Sequence, residues 1–155
     1  MELTFRLATV EDFEFVYSGR QQIADADSFV IPNPQGDKQR VLQAIQNKKV
    51  NLALLEEKPV GFVWFVVDNR LPFGVDFGPK TTGNYCYVSY IFVCKEQRGK
   101  GIGSALYTFV EEYCRKNKIG EIIIDIDTPN LKSQEFHKKM GFTPFVTLYE
   151  KKVTQ

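Results

Sequence analysis

The chain has 155 residues and a mass of 17.8 kDa, the size of one domain spanning 1–155 rather than two. Hydrophobic residues make up 43% and charged ones 25%, a globular balance that argues against a disordered chain. Twenty basic against nineteen acidic residues leave a net charge of +1, no bulk field for nucleic acid or a membrane surface.

The start, Met1-Glu2-Leu3-Thr4-Phe5-Arg6, lacks the basic and apolar run of a secretory peptide. Alternation over Leu3–Leu7 predicts a first strand, and Thr9 three residues before Asp12 starts a helix with Phe13, Val16, Tyr17 and Ile23 on one face. Asp25 to Asp37, with two prolines and a glycine, reads as a loop, and Lys38–Asn47 as a short helix. Two strands follow, near Val50–Glu56 and Pro59–Asp68, the second apolar on both faces and therefore central. It holds the longest apolar stretch, Val60–Val67, too short to span a bilayer.

Asn69–Asn84 is a long loop, in which Phe73 and Phe77 are expected to wall a substrate site or to form satellite core. Tyr85–Cys94 is a strand. Ile102–Lys116 is the clearest helix, its apolar residues recurring at helical spacing. Glu121–Asp127 reads as a strand, Asn130–Met140 as a short helix closed by Gly141, and Phe142–Lys151 as a last strand. The order implies an α/β sandwich with a mixed sheet.

Scarce residues narrow the chemistry. Cys86, Cys94 and Cys114 show no C-x-x-C spacing, so neither a disulfide scaffold nor a zinc knuckle is expected. The single histidine, His137, rules out a site built from two imidazoles, and no metal site is expected. Unpaired thiols point to a reducing, cytoplasmic setting.

The informative segment is Val93-Cys94-Lys95-Glu96-Gln97-Arg98-Gly99-Lys100-Gly101-Ile102-Gly103-Ser104. A strand runs into closely spaced glycines exactly where the best helix starts, so unpaired amides and the positive end of the helix dipole meet there. Such a turn binds phosphate, and Arg98 and Lys100 add donors, although Lys100 also reads as ordinary surface charge. A Walker loop needs Gly-Lys-Ser or Gly-Lys-Thr, which is absent, and the spacing G-x-G-x-G departs from the dinucleotide fingerprint.

This R-G-x-G-x-G pattern resembles the acetyl-coenzyme A loop of the GCN5-related N-acetyltransferase (GNAT) superfamily, with Arg98, Gly101 and Gly103 on its Q/R-x-x-G-x-G/A signature. Arg6-Leu7-Ala8-Thr9 with Asp12 resembles the family's first strand and helix start. Asn130 and Phe136-His137-Lys138-Lys139-Met140-Gly141-Phe142 resemble its fourth-helix stretch, usually N-x-x-A-x-x-F-Y-x-K-x-G-F. The resemblance implies a single GNAT-like sandwich with a mostly antiparallel sheet, helices on both faces, and splayed fourth and fifth strands. It implies that acetyl-coenzyme A is the acyl donor. Phe92 and Val93 would hold the pantetheine, the amides of Gly99, Lys100, Gly101, Ile102, Gly103 and Ser104 the pyrophosphate, and Asn130 and Phe136 would line the pantetheine.

The implied reaction is direct attack of a primary amine, on a small molecule or peptide, on the thioester. It needs a base for the amine and a proton donor for the departing thiolate. His137 stands where relatives keep a proton-donating tyrosine, and reads either as that acid or as a helix-surface histidine. Tyr87 stands where many members carry a glutamate, and is a poor base at an ordinary pKa. Asp125 matches the carboxylate used by ribosomal-protein N-terminal acetyltransferases, with Asp127 on the same strand face; the alternative is a solvated strand end. Acidic residues of the Asp25–Asp37 loop could serve through water. Cys94 is expected to be inert.

Residues 1–78 carry eight basic and eleven acidic side chains and 79–155 carry twelve and eight, a weak split that suits an anionic coenzyme on the second half. A non-catalytic acyl-coenzyme A-binding module on the same fold is the competing reading. The short tail suggests an open sheet edge covered by a second copy in a homodimer.

Overall fold

The computed structural model describes residues 2–69 and 83–153. Five strands form one sheet in chain order: β1 (Leu3–Leu7), β2 (Val50–Leu55), β3 (Lys58–Asp68), β4 (Tyr85–Val93) and β5 (Ile122–Ile123). The first four pair antiparallel, and β5 runs parallel to β4. Four helices cover the sheet: α1 (Phe13–Ala26), α2 (Pro34–Gln46), α3 (Ile102–Lys116) and α4 (Leu131–Lys139). Apolar residues on both faces of β3 match its place in the middle of the sheet.

One core lies between α1, α2 and the sheet, around Val16, Val41, Leu52, Phe62, Trp64 and Phe92. The other lies under α3, around Val63, Cys86, Val88, Leu106 and Val110, with Phe136 of α4 packed against it. At two glycines neighbouring elements approach too closely for a side chain, α1 against the sheet at Gly19 and β3 against β4 at Gly61. A Cβ on Gly19 would lie 2.5 Å from the Phe62 ring, and one on Gly61 would lie 2.6 Å from the backbone oxygen of Phe92.

The start of α1 is tied to β1. The Asp12 carboxylate accepts the Thr9 amide at 2.8 Å and both Arg6 guanidinium nitrogens, at 2.7 and 2.9 Å. These hydrogen bonds from Arg6 hold the Asp12 carboxyl below its ordinary range despite partial burial.

Three boundaries differ from the sequence reading. The loop after α1 shrinks to residues 27–33, because Asn33 caps α2 by accepting the Gly36 amide and Pro34 suits the first helical turn. The expected strand Glu121–Asp127 is reduced to Ile122–Ile123, the only residues paired with β4. The strand expected over Phe142–Lys151 does not form: no described strand pairs with it. Finally, Phe73 and Phe77, expected to wall the substrate site, lie outside the described residues.

An irregularity in the β3–β4 pairing governs the site. Trp64 pairs with Tyr90 and Phe65 with Val88, so Ser89 is an extra residue in β4. The bulge reverses the strand's alternation. Cys86 and Val88 face α3 before it and Ile91 and Val93 after it, while Tyr90 and Phe92 turn towards α1 and α2.

Candidate active site

Beyond Tyr87 no strand pairs with the β5 side of β4, since the pairing consists of Cys86 with Ile122 and Tyr87 with Ile123. The two chains then diverge, and a cavity of about 560 Å³ opens in the gap. Its walls are Val88–Val93 of β4, residues 124–127 beyond β5, the end of α1 from Gln22 to Asp27, the glycine turn and the facing side of α4.

The glycine turn forms one end. Gly99 and Gly101 adopt φ of +76° and +82°, the left-handed region that a side chain disfavours, and neither would meet a neighbour if it bore a Cβ. Backbone conformation, not crowding, therefore requires glycine there. Gly101 caps α3 without a side-chain hydrogen bond, and its carbonyl accepts from Ala105, so the amides of Ile102, Gly103 and Ser104 come before the first intrahelical bond. No acidic residue occupies that first turn. Arg98 Nε donates to the Val93 carbonyl at 3.0 Å, holding the guanidinium at the cavity wall. Such a turn, with free amides at a positive helix end, suits an anion. Lys100 behaves differently, donating to Gln97 Oε1 at 3.0 Å without being a lining residue. Gly103 has a packing reason, because a Cβ there would lie 3.0 Å from the Phe136 ring.

His137 is no helix-surface residue; it is 5% exposed and lines the cavity from α4. Its Nδ1 lies 2.7 Å from the Ser133 carbonyl, which only accepts, so Nδ1 carries the proton. Nε2 then accepts the Tyr107 hydroxyl at 2.7 Å. Burial lowers the imidazole pKa, with the Ser133 hydrogen bond opposing. The resting ring is neutral, and both its nitrogens are engaged.

At the other end, Tyr87 donates its hydroxyl to Asp125. Burial and then the Asp125 charge push the Tyr87 phenol well above its ordinary pKa, so it donates and is a still poorer base than at its ordinary value. Asp125 and Asp127 line the cavity from the irregular segment after β5. Burial, followed by the charges of Asp27 and Asp125, raises the Asp127 carboxyl. Asp27, at the end of α1, accepts from Asn130 Nδ2 at 2.6 Å, and Asn130 also caps α4 through the Ser133 amide at 3.1 Å. Asn130 thus ties the base of α4 to α1. Cys94 has its pKa raised by burial and lies outside the lining.

The model of the acetyltransferase (GNAT) family matches residues 20–142, most of the chain. The chain belongs to the GNAT family. Solved structures share this GNAT fold at low identity. A GCN5-related N-acetyltransferase from Ralstonia eutropha superposes with a TM-score of 0.76 at 15% identity, covering 97% of this chain and 98% of that one. The aminoglycoside N-acetyltransferase AAC(6')-Iy, bound to a bisubstrate CoA analogue, gives 0.70 at 19%, covering 99% and 100%. A ribosomal-protein-alanine N-acetyltransferase from Brucella melitensis gives 0.69 at 17%, covering 99% and 100%. No curated protein matches the sequence.

Of the residues singled out in the sequence of this GNAT chain, Phe92, Val93, Arg98, Gly99, Gly101, Ile102, Gly103, Ser104, Asn130, Phe136, His137 and Asp125 line one cavity. Tyr87 reaches it through Asp125. Sequence reasoning missed Tyr107, Tyr90 and the α1 wall. Tyr107 falls outside the apolar spacing of its helix, so nothing local marks it, and its partner lies 30 residues away. Among the described residues no helix is long and apolar enough to cross a membrane, and no group of three or more His, Cys, Asp or Glu could hold a metal.

Proposed function

We propose that this GNAT chain, a single domain over 1–155 working in the cytoplasm, transfers the acetyl group of acetyl-CoA to a primary amine of a small molecule or peptide by direct attack. The observation that carries the reading is one continuous cavity with a preformed anion site at one end and carboxylates Asp27, Asp125 and Asp127 at the other. The donor fits the first end. The uncapped amides of Ile102, Gly103 and Ser104, with the Arg98 guanidinium, suit a pyrophosphate, and the backbone of Phe92 and Val93 beside Asn130 and Phe136 suits a pantetheine arm. Acetyl-CoA supplies the activated acyl group.

An amine near its ordinary pKa arrives protonated and must lose a proton before attack. Asp125 takes it, directly or through water, and the neutral Tyr87 hydroxyl orients that carboxylate. His137 protonates the leaving thiolate from its imidazolium form: with Nδ1–H held on Ser133, the neutral ring has no proton at Nε2, which accepts the Tyr107 hydroxyl until the ring takes one up. Residues 143–153 leave Leu148, Tyr149 and Val153 strongly exposed outside the sheet, which supports a homodimer.

The test is free-thiol release from acetyl-CoA across a panel of amines, with Asp125→Asn as the variant. A loss of about 100-fold in kcat with unchanged CoA affinity is expected. Tight CoA binding with no turnover on any amine would instead identify a non-catalytic CoA-binding module.

A further inference from the structure

The acceptor end of the cavity borders a group of cations that the acetyl-transfer chemistry does not use. Tyr90, turned towards α1 and α2 by the bulge at Ser89, lines the cavity. The Arg20 guanidinium lies 4.7 Å from its ring centre, and that of Arg40 5.5 Å from the same ring. Arg40 also lies 5.3 Å from the Trp64 ring, and the Trp64 and Tyr90 centroids are 5.0 Å apart. Two joined aromatic rings therefore hold one guanidinium.

The two arginines differ in their partners. Arg20 is buried and faces buried Asp37 at 3.5 Å, so its charge is answered inside the protein. Arg40 is exposed and makes no ion pair among the described residues. Stacking places a guanidinium while leaving its five N–H donors free at the edge. The charge of Arg40 also acts on the Tyr87 phenol, the group that donates to Asp125. Arg40 does not itself line the cavity but stacks on Tyr90, which does, and its charge and that of Asp125 both act on the Tyr87 phenol.

We propose that Arg40 anchors a carboxylate of the acceptor, and that the acceptor is a small zwitterion such as an amino acid or short peptide with a free carboxylate. This rests on the acetyl-transfer reading above. The amine end meets Asp125 and its neighbours, and the carboxylate meets the planar donor fork of Arg40, which matches it in bidentate geometry. A polycation is complementary to the carboxylate side only.

The chain has a single tryptophan, and it is Trp64, so the anchor carries its own reporter. Amino acids and dipeptides, each paired with its carboxamide, and an amine bearing a phosphate monoester are titrated into the CoA-bound protein while Trp64 emission is followed. The same panel is assayed for acetylation with acetyl-CoA. At least one carboxylate should shift the emission saturably while its amide does not, and Arg40→Gln should raise its Kd and KM about tenfold. Arg40→Lys should recover part of that loss as a point charge. Equal binding of acid and amide, a preference for the phosphate, an unchanged Arg40→Gln variant, or no response to any member overturns the anchor. Saturable, Arg40-dependent binding without acetylation leaves the anchor standing and overturns acetyl transfer. Acetylation indifferent to the carboxylate does the reverse.

Discussion

His137 shows how far one residue's chemistry depends on what lies across from it. An imidazole on a helix surface would titrate near its ordinary value and be largely available as a donor at mildly acidic pH. Buried between the Ser133 carbonyl and the Tyr107 hydroxyl, it is held neutral. Two consequences have definite signs. The unfolded chain takes up a proton near the ordinary histidine pKa while the folded chain resists it, so this contribution to stability is complete above about pH 6.5. It is lost as the pH falls through the lowered folded pKa. Melting temperature measured against pH should decline on that acid side, and the decline should flatten in His137→Gln. The acid role predicts that kcat falls as the pH rises above the lowered pKa, and that this limb disappears in His137→Phe. A pH–rate profile unchanged by that substitution would remove His137 from the reaction while leaving its structural hydrogen bonds intact.

At the scale of the element, α3 is both a core helix and a binding device. Its inner face carries Ile102, Leu106, Tyr107, Val110 and Cys114 into the core, and its N-terminus is left without a side-chain cap. A glycine at the helix start forgoes only a few tenths of a kcal/mol relative to a serine or aspartate there. Leaving it uncapped keeps three amides free for an anion. The Arg98 guanidinium, tethered to the Val93 carbonyl, supplements them. Arg98→Ala should weaken CoA binding about tenfold, as read by calorimetry, with little change in melting temperature because the guanidinium makes no buried ion pair. Unchanged affinity would sink the phosphate assignment of this turn. The bulge in β4 is the second functional element, because one extra residue sends Tyr90 and Phe92 to the acceptor side.

At the scale of the molecule, the sheet ends in a two-residue strand, and the chain after α4 adds none. The tail exposes apolar side chains, with Leu148 at 69% exposure and Tyr149 at 93%. A second copy covering this tail is the expected arrangement, and sedimentation equilibrium at micromolar concentration should show a dimer. Tyr149→Asp should shift the distribution towards monomer. A wild-type chain that sediments as a monomer throughout that range removes the proposal and leaves the active site untouched.

Much of this architecture was legible before any coordinates. The helical spacing of α3, the central position of β3 and the glycine turn before α3 follow from local patterns, since periodicity, glycine spacing and helix starts are written within a few residues. The strand expected over Phe142–Lys151 does not form, because an apolar and β-branched stretch states only that a strand could be built. A strand also needs a partner, and none of the described strands pairs with it. The sequence by itself determined the fold class, the glycine turn that opens α3 and the list of polar residues available to a site. Tertiary structure alone decided their states, because the deciding contacts join residues far apart in the chain. Tyr107 and His137 are 30 residues apart, Tyr87 and Asp125 are 38 apart, and Asp27 and Asn130 are 103 apart. Burial and partner charge act through space, so no window of sequence contains them.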